Sequence, residues 1–251
     1  MSDPRLRDIK IILVEPAGPL NVGAIARVMK NMGLGQLILV NPHCDPVGED
    51  AKRMAVHADD YLTQAQVVET LSEGLVGCER VIATTARSRR LQIATHSPRQ
   101  ILPWLLEGSA ALVFGPEDRG LSNDELYHAQ AFLQIPTSPE YAALNLAQAV
   151  TICCYELRQL VLEDLNPSPE TSLQPPVEAG QPQNLAPFQQ REAFFQALEA
   201  ALLEIGYLYP HTAKSRMQKL RQLFNRSHLS AQEVAMLRGM IRQLHWKIQP
   251  K

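Results

Sequence analysis

Ala110-Ala-Leu-Val-Phe-Gly-Pro-Glu-Asp-Arg-Gly-Leu121 is an apolar run that breaks at a Gly-Pro turn and then hangs charged residues from it. A short run with no polar alternation reads as a strand buried on both faces, which belongs in a parallel sheet. Gly115 ends that strand with a bare backbone that a flat ligand can lie against, and Glu117 follows two residues later. Taken alone, the Gly-Pro pair is a turn signal and Glu117 can equally cap a neighbouring amide.

The same grammar recurs along the chain. Ile9–Val14, Gln36–Val40, Arg80–Thr84, Ala110–Gly115 and Ala131–Ile135 read as strands. Val22–Met32, Gln64–Glu73, Pro98–Glu107, Asn123–Ala129 and the long Ala142–Leu162 read as helices between or after them. Alternation of this kind predicts an α/β fold, a parallel sheet with helices on both faces. Ligands of such sheets gather at the loops beyond the carboxyl ends of the strands. Two further turn segments start there: Asn21-Val-Gly-Ala-Ile-Ala-Arg27 after the first strand and Ile135-Pro-Thr-Ser-Pro-Glu-Tyr-Ala-Ala-Leu-Asn145 after the last.

On a helical wheel Val22, Ile25, Val28, Met29 and Met32 share one face, so Arg27 is presented on the other. Asn21 can cap this helix, and Gly23 leaves room for a ligand beside its first turn. A helix start with an outward arginine is a phosphate site; the same arginine alone is an ordinary solvated one. Asn145, at the start of the last long helix, is likewise either a site residue or a structural hydrogen-bonder.

Other chemistries are excluded. Gly33-Leu-Gly35 follows a helix and precedes a strand, so it ends a helix instead of opening a dinucleotide-binding one. No P-loop, no Ser/His/Asp arrangement and no H-E-x-x-H pattern occurs. Cys44, Cys78, Cys153 and Cys154 lack zinc-ligand spacing and read as reduced structural thiols. No apolar run approaches the roughly 20 residues that cross a bilayer, and the N-terminal residues form no signal core, so a cytoplasmic protein is expected.

The 251 residues and 45% hydrophobic content support one large domain plus a smaller piece. Residues 164–188, with three acids and no base, are rich in proline and small polar residues and read as a linker. Residues 1–163 carry a net charge of -5 and residues 189–251 one of +6. The basic piece suits a polyanion, although a solvated helical face has the same composition. Its helices are expected at 190–206, at Thr212–Asn225, and after the capping box Ser230-Ala-Gln-Glu233. Leu220, Leu223 and Phe224 are expected to pack on Leu237, Ile241 and Leu244, leaving Lys214, Arg216, Lys219, Arg221 and Arg226 for RNA phosphates.

In order and spacing, the three turn segments resemble the signature motifs of the SpoU branch of the SPOUT RNA methyltransferases. Thr84-Thr-Ala-Arg-Ser-Arg89, Pro139-Glu-Tyr141, Lys219-Leu-Arg-Gln-Leu-Phe224 and Leu237-Arg-Gly239 extend the resemblance to the tRNA (cytidine/uridine-2′-O-)-methyltransferases of the TrmJ type. The resemblance implies a deep trefoil knot late in the 1–163 domain, S-adenosylmethionine as cofactor, a homodimer, tRNA as substrate and no required metal. It places Asn21, Arg27, Glu117 and Asn145 in the catalytic site. It assigns Thr84, Thr85, Ala86, Gly115, Ile135, Ala142, Ala143 and Leu144 to cofactor binding, and residues 189–251 to tRNA. The implied reaction is methylation of a ribose 2′-hydroxyl, at nucleotide 32 of the anticodon loop. One residue departs from the family: Ala143 stands where a serine is usual. That change supports a rival reading, a non-catalytic RNA-binding protein of the same fold. An enzyme acting on ribosomal RNA is the third.

Overall fold

The computed structural model describes residues 3–86, 94–165 and 184–248. Arg87–Arg89 of the quoted Thr84–Arg89 stretch, and most of the expected linker, lie outside the described residues. The chain divides into two compact units, Met1–Leu75 with Arg80–Val177, and Val76–Glu79 with Glu178–Lys251.

The first unit is built on six parallel strands: β1 (Ile9–Val14), β2 (Gln36–Val40), β3 (Gln66–Val68), β4 (Arg80–Thr84), β5 (Ala110–Phe114) and β6 (Ala131–Leu133). Their order across the sheet is β3-β2-β1-β5-β4-β6. Every residue of β5 is buried, and successive side chains of a strand point to opposite faces, so both faces are covered. The apolar runs are the direct record of that burial.

The helices of this unit are α1 (Pro4–Arg7), α2 (Pro19–Met32), α3 (Glu49–Ala55), α4 (Asp59–Thr63), α5 (Leu71–Gly74), α6 (Pro98–Ile101), α7 (Asn123–Leu126) and α8 (Leu146–Leu165), with a 3-10 segment at Leu102–Glu107. Three expectations are corrected. The stretch Gln64–Glu73 is not one helix: Val67 and Val68 pair with Leu39 and Val40 as an edge strand, and Thr70 then caps the short α5. Three residues are too few to show a period of two. Helix α2 starts at Pro19, whose fixed φ suits a first helical position, so Asn21 lies inside the first turn and Gly18 is the cap. Helix α8 starts four residues later than expected. The Asn145 side chain accepts hydrogen bonds from the backbone N–H groups of Ala147 (2.9 Å) and Gln148 (3.4 Å) and so forms the cap.

Gly23 is buried, and a Cβ there would sit 2.1 Å from the carbonyl oxygen of Ala51. The glycine therefore lets α2 and α3 touch, and does not open space for a ligand as the sequence suggested. Gly23→Ala should lower stability by about 1–3 kcal/mol, the usual penalty for overpacking, readable as a lower denaturant midpoint. An unchanged midpoint would show that α3 shifts freely.

The second unit contains α9 (Phe188–Glu204), α10 (Pro210–Arg226) and α11 (Ala231–Ile248). Phe194, Phe195, Met217 and Val234 form its core, with Leu220, Phe224, Leu237 and Ile241 packed against them. Leu223 and Leu244 do not join it; they are 50% and 58% exposed. The expected linker also ends earlier than residue 188. Leu185 and Ala186 are buried, and the Ala186 N–H donates to the Leu229 carbonyl at 2.9 Å. No described helix is long and apolar enough to cross a membrane.

Candidate active site

In a parallel sheet all strands end on one edge. Here the order of strands reverses at β1 and β5, the place where such sheets bind ligands. The carboxyl end of β4 and the segments that follow β1, β4, β5 and β6 contain every site residue expected in this unit.

Three of the four expected catalytic residues meet. Asn21 Nδ2 donates to Glu117 Oε1 at 2.6 Å, and Asn145 Nδ2 donates to Asn21 Oδ1 at 3.0 Å. The backbone N–H of Ala17 donates to the other oxygen of Glu117 at 3.4 Å. An ionised carboxylate only accepts, so Glu117 sets the direction of the whole chain. It requires the amide nitrogen of Asn21 to face it. Asn21 then turns its oxygen to Asn145, and Asn145 turns its own oxygen to the start of α8. Residues far apart in sequence are thus tied into one directed line from a carboxylate to a helix N-terminus.

Arg27 stands apart from this line. It lies six residues beyond Asn21 on α2, roughly 9 Å along the helix axis. It is exposed and makes no hydrogen bond or ion pair among the described residues. Val22, Ile25, Ala26 and Met29 are buried, so the wheel assigned the two faces of α2 correctly.

The Glu117 loop is held by a residue the sequence analysis passed over. Arg119 donates to Glu15 at 2.7 Å and to both oxygens of Glu125 at 2.9 Å, and to the Gly120 carbonyl at 3.0 Å. These contacts raise its pKa further. For Glu125 burial pushes the carboxyl up, but the Arg119 guanidinium and the hydrogen bonds from Ser122 outweigh it and hold the group below its usual range. Ser122 and Glu125 also form the capping box of α7, which the sequence analysis did not pick out. Glu15 adopts φ 46°, a left-handed turn directly after β1. Nearby Cys44 is held above its usual thiol range, by burial first and then by the charges of Glu117 and Asp45.

Gly115 is also explained differently from the sequence reading. A Cβ there would lie 2.3 Å from the Leu121 nitrogen and 2.4 Å from the Gly120 carbonyl carbon. Its bare side faces the chain's own returning loop, so any ligand contact is made by its backbone alone. Thr84 Oγ1 donates to the Val113 carbonyl at 3.0 Å, and the Thr85 N–H to the Leu133 carbonyl at 2.9 Å, locking β4 to its two neighbours. Ala86, Ala142 and Ala143 are exposed, while Ile135 and Leu144 are half-buried. The N–H groups of Ile135 and Leu144 make no hydrogen bond among the described residues.

In the second unit one RNA-contact expectation fails. Arg221 donates to both oxygens of Glu192 at 2.6 and 2.7 Å and lies over the Phe195 ring, 4.5 Å from its centre. It holds α10 to α9 and is not presented to a ligand. Arg216 donates to the Tyr207 carbonyl at 2.9 Å yet stays exposed, as do Lys214, Lys219 and Arg226.

A family model described as the SpoU rRNA Methylase family matches residues 8–155, and one described as the C-terminal domain of tRNA methyltransferase TrmJ matches residues 189–251. The chain belongs to the SpoU methylase family. It is similar to the tRNA (cytidine/uridine/adenosine-2′-O-)-methyltransferase TrmJ of Pseudomonas aeruginosa, 39% identical over 93% of this chain and 92% of that protein. The tRNA (cytidine/uridine-2′-O-)-methyltransferase TrmJ of Klebsiella pneumoniae is 41% identical over 94% of this chain and 96% of its own. The crystal structure of TrmJ from Z. mobilis ZM4 superposes with a TM-score of 0.80 at 32% identity, covering 94% of this chain and 98% of that one.

Proposed function

We propose that the chain is a tRNA ribose 2′-O-methyltransferase that uses S-adenosylmethionine. The observation that carries this reading is the directed line Glu117–Asn21–Asn145 at the carboxyl edge of β1 and β5. It ties together the three segments that carry the family motifs, and the TrmJ relatives carry this activity in their names.

The residues beside that line suit an adenosyl group. Ile135 and Leu144 offer apolar side chains and unused N–H groups, and Ala142 and Ala143 present only methyl groups. Thr84, Thr85, Ala86, Gly115, Ile135 and Ala142–Leu144 would hold the cofactor, Gly115 through its backbone. When bound, the cofactor's sulfonium supplies an electrophilic methyl group.

Arg27 meets the RNA. A guanidinium keeps its proton and makes a poor base. Its role is to clamp the ribose and its phosphate and to stabilise negative charge developing on the 2′-oxygen. Glu117, Asn21 and Asn145 do not transfer the methyl group; they hold three loops in one register so that hydroxyl and cofactor sit in line. Ala143 lacks the family hydroxyl, whose loss of one hydrogen bond costs about 0.5–1.5 kcal/mol, a slower but working enzyme. The proposal includes a homodimer with a deep trefoil knot, a cytoplasmic location, and tRNA binding by residues 189–251. Of the α10 basic residues, Lys214, Arg216, Lys219 and Arg226 remain candidates for phosphates, and Arg221 does not. Nucleotide 32 of the anticodon loop is the proposed target.

The test is a single-turnover reaction with excess enzyme, labelled S-adenosylmethionine and transcript tRNA, followed by mapping of 2′-O-methyl positions. Transfer to nucleotide 32 is expected. Cofactor binding without transfer would favour the non-catalytic reading. Transfer only to ribosomal RNA fragments would redirect the substrate, and absence of both binding and transfer would sink the proposal.

A further inference from the structure

The second unit carries a groove that the α10-based view of RNA binding does not use. It has a volume of about 530 Å³ and runs between α9 and α11. Ala197, Ala200 and Ala201 of α9 and Ala235 and Ile241 of α11 give it a small, mostly alanine, apolar lining. Arg238 and Arg242 line one wall. Both are exposed and make no hydrogen bond or ion pair among the described residues. His245 also lines the groove and lies 2.6 Å from Glu204.

The spacing along α11 adds the second observation. Arg238, Arg242 and Trp246 follow one another at intervals of four residues, so they rise in a single row, about 6 Å per step. Trp246 is 64% exposed, at the end of that row. Two unpaired guanidinium groups followed by an open indole beside a smooth trough are the two elements that single-stranded nucleic acid requires. Cations track the backbone, and a flat ring receives a base. A duplex offers no unstacked base to the indole.

Resting on the tRNA reading above, we infer that the α9–α11 groove binds an unpaired stretch of RNA, with Arg238 and Arg242 on successive phosphates and a base stacked on Trp246. The alternative occupant of a basic helix with exposed apolar residues is an anionic membrane surface. The concave, alanine-lined trough favours a strand over a flat bilayer.

The experiment uses the full chain, titrated with transcript tRNA, with an unstructured oligouridylate, and with phosphatidylserine vesicles. Binding is read by tryptophan fluorescence and by anisotropy of labelled RNA over a salt series. Trp104 is buried in the first unit, 5% exposed, so the quenchable signal belongs to Trp246. Both RNAs should quench native fluorescence, and Trp246→Phe should abolish the quench. The Arg238→Gln/Arg242→Gln double variant should weaken RNA affinity at least ten-fold. It should also flatten the salt dependence by about 1 to 2 released ions, at roughly 0.7 per phosphate for single strands. Cofactor binding by the variants should stay native, which shows that they are folded.

A double variant with native affinity and salt slope would remove the groove from RNA binding while leaving the enzyme assignment intact. Quenching by vesicles and not by RNA would hand the surface to a membrane. A native chain that binds no tRNA would overturn this inference and the proposed function together.

Discussion

Replacing Arg27 with alanine should lower the rate of methyl transfer by about 10²–10³-fold, the usual effect of removing one preorganised donor from a developing oxyanion. S-adenosylmethionine affinity should change only a few-fold, because Arg27 lies on the exposed face of α2 and is not among the residues proposed to hold the cofactor. Stability should also hold within about 0.5 kcal/mol. The guanidinium makes no hydrogen bond or ion pair among the described residues, and the buried face of α2 is made by Val22, Ile25, Ala26 and Met29. A residue that costs nothing to keep in place for folding is free to act on a ligand. Arg27→Lys should fail as well, since a point charge does not reproduce a planar fork that grips ribose and phosphate together. Single-turnover rates and cofactor titrations of both variants give the answer. A native rate in Arg27→Ala would return the residue to the solvated surface.

Five of the six strands were legible because most residues of β1, β2, β4, β5 and β6 are buried and their runs are apolar apart from Lys10, Gln36, Arg80 and Thr84. The edge strand β3 was not. Its three residues show no period, and Val67 is 56% exposed, so nothing forced an apolar pattern on it. The partition of α2 was legible for the same reason as the strands, since one face must be buried. The glycines were misread because an absent side chain does not say what occupies its place. For Gly23 it is the Ala51 carbonyl, 28 residues on, and for Gly115 it is the chain at Gly120–Leu121. Only tertiary structure supplies those partners. Arg221 and Arg119 fail in the same manner. Each looked like a free or unremarkable cation until α9 brought up Glu192, and β1 and α7 brought up Glu15 and Glu125. Asn21, Glu117 and Asn145 were found through the motifs, while the direction of their hydrogen bonds, which gives them a common role, was visible only in the fold.

That direction can be tested by one substitution. In Asn145→Asp the side chain keeps the oxygen that accepts from Ala147 and Gln148, and asparagine and aspartate cap helices equally well. The added negative charge at a helix N-terminus is favourable. The cap's own contribution to stability should therefore be native or slightly higher. The contact to Asn21 is another matter, because the donor 3.0 Å from Asn21 Oδ1 becomes an acceptor. Asn21 can flip to serve the new carboxylate, but its oxygen then faces Glu117 Oε1, where a 2.6 Å hydrogen bond stood. Either arrangement sets two acceptors against each other, and losing a hydrogen bond to a charged group costs about 1.5–3 kcal/mol. If the line aligns the loops for transfer, that loss appears in the rate as about 10- to 100-fold. Acid should relieve it: protonating the introduced carboxyl gives back a donor toward Asn21, so the ratio of variant to native rate should rise as pH falls. Asn145→Ala serves as the contrast, since it removes cap and line together and should lose about 1 kcal/mol of stability along with activity, with no recovery in acid. A fast Asn145→Asp enzyme with a native pH profile would show that Asn145 matters only as the cap of α8.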